Sequence, residues 1–223
     1  MGCSLSNGLV ATRLLIVCTR PKLYARALAN FYFIHAAIDA ALQKYAHLPA
    51  VAPIAALLPR AGRKQAFETD LQFFLGQDWK EKLGRPPPAV QQYLDHFEAL
   101  CKDADHDGGG AGIVAHAYTQ QTAMFFGGQR LSKMVRSNLA LEGDDPGTSA
   151  FEYSEPVHKL KQDYMRAIDG LARVLGEDGV QKMIAERELV FQMNNKIIKS
   201  FKLPRFAYHM KPIDYDEPMD YEG

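Results

Sequence analysis

The chain has 223 residues, with 26 basic and 26 acidic side chains, 23% charged and 47% hydrophobic residues. That length and balance suit one folded domain with tails and exclude wholesale disorder. A formal net charge of zero leaves no whole-molecule field to draw in nucleic acid or an anionic membrane, and three scattered cysteines, Cys3, Cys18 and Cys101, exclude a disulfide framework and a cysteine-built zinc centre.

The charge is nevertheless unevenly placed. No acid precedes Asp39, whereas Arg13, Arg20, Lys22 and Arg26 do. Residues 1–22 read as an atypical N-terminal segment. Its longest apolar run, Leu14 to Cys18, is too short to span a bilayer and makes a poor secretory signal. An acid-free, arginine-bearing start fits an organelle transit segment, and equally a truncated first exon. The opening Met1-Gly2-Cys3-Ser4-Leu5-Ser6 fits an acylation motif, with Gly2 as myristoyl acceptor and Cys3 as a palmitoyl site. Stable anchoring would need both chains. The expectation is a soluble protein of the cytoplasm or an organelle.

From there the apolar residues recur every three or four positions. Phe31, Ile34, Ile38, Leu42 and Tyr45 make one stripe in a helix of about Leu23 to His47. Pro49, Pro53 and Pro59 then break the chain. Phe67, Leu71, Phe74 and Leu75 face inward on a helix near Arg63 to Leu83, which the Pro86-Pro87-Pro88 run ends. Val90, Leu94, Phe97 and Leu100 mark a shorter helix. A flexible break from Asp107 to Gly112 precedes a long helical pattern, Ile113 to about Leu141. After a polar loop, Leu160, Tyr164, Ile168, Leu171 and Leu175 mark another helix. A Gly176-Glu177-Asp178 turn leads into the last, with Val180, Ile184, Phe191 and Ile198. The tail, 203–223, is acidic and rich in Tyr and Pro, and reads as an extended arm. The fold class is all-α, one domain over 23–202 with about six or seven helices.

Few motifs could carry chemistry. Lys102-Asp103-Ala104-Asp105-His106-Asp107-Gly108 imitates the start of a calcium loop, but the bidentate glutamate should fall at Val114. A solvated acidic loop is the better reading. His35, among aromatic residues, reads as a hydrogen-bonded core histidine, and His116 as structural. Gly127-Gly128 interrupts a helical register that continues on both sides. Two interior glycines forgo roughly 1 kcal/mol each against alanine. A helix that accepts them bends, lets something flat approach its backbone, or simply ends there.

These residues resemble a known family. Val114-Ala115-His116-Ala117-Tyr118-Thr119, followed by Gly127-Gly128-Gln129, is similar to the distal helix of the heme oxygenases. Leu28 through His35 with Ala37-Ile38-Asp39 resembles the family's second helix. Phe67 through Phe74 with Trp79 resembles its third. Lys159 through Gln162 with Tyr164 resembles the later helix whose basic side chains meet propionates, and Phe191 through Asn194 the last pocket helix. The resemblance covers about Tyr24 to Phe201. It implies an all-α heme-oxygenase-like fold that clamps heme between two helices, with heme as substrate and cofactor together. It also implies O2-dependent cleavage to biliverdin, Fe2+ and CO, with electrons from a reductase partner.

The implied tetrapyrrole contacts are Tyr118, Thr119, Ala123, Met124, Phe126, Gly127 and Gly128 on the distal helix. Lys161, Arg166, Phe191 and Asn194 complete them from later helices. The chain departs from the family at the chemistry. The axial histidine belongs ahead of Tyr24, and residues 1–22 contain none. The distal carboxylate position is Met124, which cannot relay protons. Gln120 replaces an arginine, His35 a tyrosine, and Met165 the regioselectivity arginine, with Arg166 beside it. Phe126 is expected to crowd the face of the ring, and His35 is the one substitute iron ligand on offer. The chain as written therefore reads as a heme-oxygenase-like protein without efficient catalysis. Alternatives are a working oxygenase with its first helix supplied otherwise, and a non-catalytic tetrapyrrole-binding or helical interaction module.

Overall fold

The structure is a computed structural model and describes residues 2–104 and 110–203. Among them are ten α-helices, one 3-10 turn and no strand. The helices are α1 (Gly2–Val17), α2 (Pro21–Lys44), α3 (Ala52–Ala55), α4 (Leu58–Ala61), α5 (Lys64–Leu75), α6 (Trp79–Leu83), α7 (Pro88–Asp103), α8 (Ala111–Asn138), α9 (Val157–Gly170) and α10 (Ala172–Lys199), with the turn at Ser149–Phe151. The acidic tail from Pro204, the carboxylates of the 105–108 loop and the side chains of Cys3 and Ser6 lie outside the described residues.

Local chemistry sets the boundaries. Pro21 and Pro88 sit in the first turns of α2 and α7, where the missing N–H is no loss. The single helix expected over Arg63 to Leu83 is two, because Gly76 takes φ +88° and turns the chain between α5 and α6. The turn expected at Gly176 is a kink within α10, where Gly176 has φ +65°. Residues 2–17, given no helical reading from their sequence, form a helix packed on α10 and α2.

Two apolar clusters hold the helices together. The larger gathers Ile34, Ile38, Tyr93, Ile113, Leu160, Val190 and Ile197, and it is closed mainly by α8 against α10 and α2 against α7. The smaller gathers Tyr24, Leu28, Phe67, Leu71, Trp79, Met124, Val135 and Phe151, where α2 meets α5 and the 3-10 turn. Two carboxylates, Asp39 partly buried and Asp70 fully buried, tie the loops down. Asp39 of α2 accepts the backbone N–H groups of Arg63 and Lys64, both at 2.9 Å, and so fixes the start of α5. Asp70 accepts those of Gly147, Ser149 and Ala150, each at 2.9 Å.

Candidate functional site: an apolar cavity between the first, second, eighth and tenth helices

A cavity of about 290 Å³ opens where the two clusters meet. Val10, Leu14 and Val17 of α1 form part of its wall, at a spacing that puts them on one helical face. α2 adds Tyr24, Ala27, Leu28 and Phe31. α8 adds Gln120, Ala123, Met124 and Leu131, and α10 adds Phe191, Asn194, Asn195 and Ile198. Cys18, Phe67 and Phe151 complete the wall. The volume sits at the lower edge of the roughly 300–1,000 Å³ usual for small-molecule sites, and an apolar lining with a few amides is their usual chemistry.

Four of the expected contacts, Ala123, Met124, Phe191 and Asn194, line this cavity. Met124 is 8% exposed, and its side chain packs into the smaller cluster. Phe191 is 59% exposed although it borders the cavity, so it stands at the rim. The other expected contacts do not line it. Thr119 turns its hydroxyl onto its own helix at Ala115 O, 2.7 Å away. Tyr118 lies under the Arg187 guanidinium, 5.3 Å from the ring centre. Phe126 does not crowd the interior: it is 63% exposed, with the Lys161 ammonium 3.6 Å above its ring. Arg166 is exposed and pairs with Asp163 at 3.4 Å.

α8 runs unbroken through Gly127 and Gly128, so the glycines neither end the helix nor start a new one. A Cβ on Gly127 would meet nothing within 4 Å, whereas one on Gly128 would stand 3.2 Å from the Phe151 ring. The two glycines therefore have different surroundings, open space for one and a packed aromatic for the other.

The polar groups near the cavity are largely committed. Gln120 donates its amide N–H to Asn194 Oδ1 at 2.9 Å and to Tyr93 Oη at 3.1 Å. Tyr24 is the exception: its hydroxyl is buried with no hydrogen-bond partner, and burial, with Asp70, Cys18 and Glu152 nearby, pushes its proton loss far up. No histidine is among the described residues that line the cavity. His35 is 3% exposed and stacks on Phe67 with ring centres 4.9 Å apart. It faces a separate void of about 20 Å³ shared with Asp39, Gln120, Gln121 and Tyr164. The expectation of a core histidine holds for its burial, but its Nε2 has no hydrogen-bond partner. Burial, and then the Arg63 charge, lowers its pKa to about 3, so the ring is neutral.

Sequence reasoning missed the α1 wall and a second feature. His116 is fully buried. Its Nδ1 lies 2.7 Å from Tyr93 Oη and its Nε2 2.9 Å from Glu186 Oε1. His96 brings its own Nε2 to the same Glu186 oxygen at 2.7 Å. Burial raises the Glu186 carboxyl, but hydrogen bonds and charge from His116 and His96 outweigh it and hold the group below its usual range. Burial lowers the His116 pKa, and the contact with that carboxylate offsets this only in part. No spacing motif announces this cluster, because its members come from α7, α8 and α10.

The sequence model of the heme oxygenase family matches residues 10–200, so the match begins inside the segment set apart at 1–22. A heme oxygenase of Porphyra purpurea is 30% identical over 180 residues, 80% of this chain and 72% of that protein. One from Rhodella violacea is 28% identical over 178 residues, 79% of this chain and 71% of that protein. Among solved structures, heme oxygenase 2 from Chlamydomonas reinhardtii, determined without heme, superposes with a TM-score of 0.80 at 32% identity, covering 90% of this chain and 92% of that one. Heme oxygenase-1 from Synechocystis sp. PCC6803, in complex with heme, gives 0.74 at 25% identity, covering 85% and 81%.

Proposed function

The chain belongs to the heme oxygenase family, and from that premise we propose that it holds a tetrapyrrole in the α1–α2–α8–α10 cavity while the iron chemistry of its relatives is impaired. The observation that carries this reading is the composition of the cavity wall. Val10, Leu14, Val17, Met124, Phe151 and Ile198 offer an apolar slot, and Phe191 leaves an aromatic surface at its rim. These residues suit the flat body of a porphyrin. They do not suit its iron: no imidazole is among the described lining residues, and Met124 supplies a thioether where the resemblance implies a carboxylate. A thioether neither holds an ionisable proton nor orders water strongly, so proton delivery to bound oxygen would lack its donor. Gln120 is the polar side chain that α8 brings to the cavity wall, and its amide N–H groups are already taken up by Tyr93 and Asn194.

Lys161 supports the same reading from outside. Its ammonium sits over the exposed ring of Phe126, a residue one helical turn from Ala123 of the cavity wall, and such a charge would suit a propionate. Arg166 lies on the same helix, among exposed side chains that include His158 and Asp169. A reductase is the implied electron donor only where turnover occurs. Among the described residues no helix is long and apolar enough to cross a membrane.

The test is a titration with hemin and, in parallel, with metal-free protoporphyrin IX, each followed by aerobic reductant. Saturable binding of both with affinities within about tenfold of each other, and no release of biliverdin, is the expected outcome. A histidine-type hemin spectrum with stoichiometric conversion to biliverdin would overturn it and establish a working oxygenase. Absence of saturable binding would leave the fold as a helical interaction module.

A further inference from the structure

Three helices unrelated in sequence bring His96, His116 and Glu186 to one point, with a donor atom from each within 4.8 Å of the others. We propose that this cluster is a binding site for a divalent first-row transition ion of the zinc class, separate from the tetrapyrrole cavity.

Two imidazoles and one carboxylate are a ligand set used for zinc, with a fourth position left to water. The geometry supports it in four ways. First, both Nε2 atoms already aim at one Glu186 oxygen, at 2.7 and 2.9 Å. A tetrahedral ion with bonds of about 2.0–2.2 Å would space these atoms roughly 3.3 Å apart, so each contact need open by only about half an ångström. Second, the platform is rigid. His116 is buried to 0% on the long helix α8, which packs tightly against α10, the helix that carries Glu186. Third, His116 has an outer partner. Its Nδ1 meets Tyr93 Oη at 2.7 Å, so when Nε2 takes an ion the ring proton moves to Nδ1 and is donated to that hydroxyl. Such a second hydrogen bond is how ligating histidines are normally oriented. Fourth, the site can be reached: the His96 side chain is 32% exposed and Glu186 14%, which leaves a solvent-side path for the ion and its water.

The site also has an anchor in the cavity wall. Tyr93 accepts from Gln120, which in turn donates to Asn194 at the cavity. An ion would therefore pin α7, α8 and α10 behind the wall without entering it.

The experiment uses the full chain, freed of metal by chelator, with no tetrapyrrole added. Zn(II) is titrated against a chromophoric chelator, and Co(II) is titrated separately and followed by its visible ligand-field bands. The expected result is one equivalent of Zn(II) per chain and a Co(II) spectrum of four-coordinate intensity. His96→Gln changes a partly exposed ligand without opening the core, and should weaken Zn(II) at least about 100-fold. Tyr93→Phe, which removes only the outer partner, should weaken it about 10- to 100-fold. His158→Gln, at an exposed histidine elsewhere, should leave affinity unchanged. Absence of a stoichiometric site, or a site whose affinity survives both His96→Gln and Glu186→Gln, would overturn the proposal. Failure of porphyrin binding would not touch it.

Discussion

Asp70 offers a sharp test of how the cavity wall is held. Its side chain is fully buried, and its two oxygens accept three backbone N–H groups from the segment that carries Phe151. Hydrogen bonds to a charged group contribute about 1.5–3 kcal/mol each, so the gross sum is roughly 4.5–9 kcal/mol. Burial of the carboxylate offsets part of this, and it outweighs the bonds far enough to leave the carboxyl above its usual range. Asp70→Ala strands two buried donors and one partly buried one, and the net loss should be about 3–5 kcal/mol, the scale for removing one member of a buried charged contact. Asp70→Asn keeps one oxygen, which can still serve Gly147 and Ser149, but sets its NH2 against the Ala150 N–H. It should lose about 2 kcal/mol. In a chain of 223 residues each kcal/mol moves Tm by roughly 2–4 °C, so the alanine variant should melt about 10 °C lower. Urea unfolding followed by far-UV circular dichroism gives both numbers. Porphyrin affinity should fall with stability, because Phe151 borders the cavity. A loss below about 1 kcal/mol for Asp70→Ala, or equal losses for Ala and Asn, would refute the clamp.

Further predictions follow from the same geometry. Gly127→Ala should raise stability by up to about 1 kcal/mol, since its Cβ meets open space in a helix. Gly128→Ala should gain nothing or destabilise, because its Cβ presses on Phe151; paired melts separate the two. Met124→Ala should lose about 2 kcal/mol, near the low end for a truncated core side chain because the site already borders a void. Denaturant titration checks that figure, and a loss under 0.5 kcal/mol would mean the thioether is not packed. The His35 pKa of about 3 lies below the ordinary 6.5, so the unfolded chain binds the extra proton between those values. Its contribution to stability is whole above pH 6.5 and falls by about 1.4 kcal/mol per pH unit as acid is added toward 3. His35→Phe should flatten the stability curve between pH 7 and 5 relative to the parent. Equal slopes would place the acid sensitivity elsewhere.

Much of this molecule can be read from periodicity. The stripes of Ile34 and Ile38 and of Leu160 and Tyr164 are buried as their spacing requires, with Phe31 partly buried beside them. The breaks were harder. Gly76 separates α5 from α6 by a backbone angle that no apolar pattern encodes, and Gly176 bends α10 without ending it. α1 hid for a different reason: Leu14 to Cys18 is apolar all round, so the Val10, Leu14 and Val17 face does not stand out against its neighbours. At the site, Met124 and Asn194 were visible because they sit at fixed distances from recognisable motifs. Phe126 differs, because its position along α8 does not reveal that its ring is exposed beneath Lys161. His96 and Glu186 could not be found at all: Glu186 stands 70 residues from His116 and 90 from His96, a separation only packing can cancel.

The α1 wall has a consequence for timing. Arg13 donates to Phe201 O at 2.9 Å across 188 residues of chain, and α1 lies against α10. The cavity is thus assembled from the two ends of the fold, and it exists only once they have met. Contacts this remote in sequence carry the largest loop-closure penalty and form late. A chain still emerging from the ribosome has no pocket to offer until α10 is made. A ligand that fills the finished cavity favours the closed junction over its frayed alternative. Occupancy and closure then become one equilibrium, and a protease that cuts at frayed ends would read the presence of ligand as resistance.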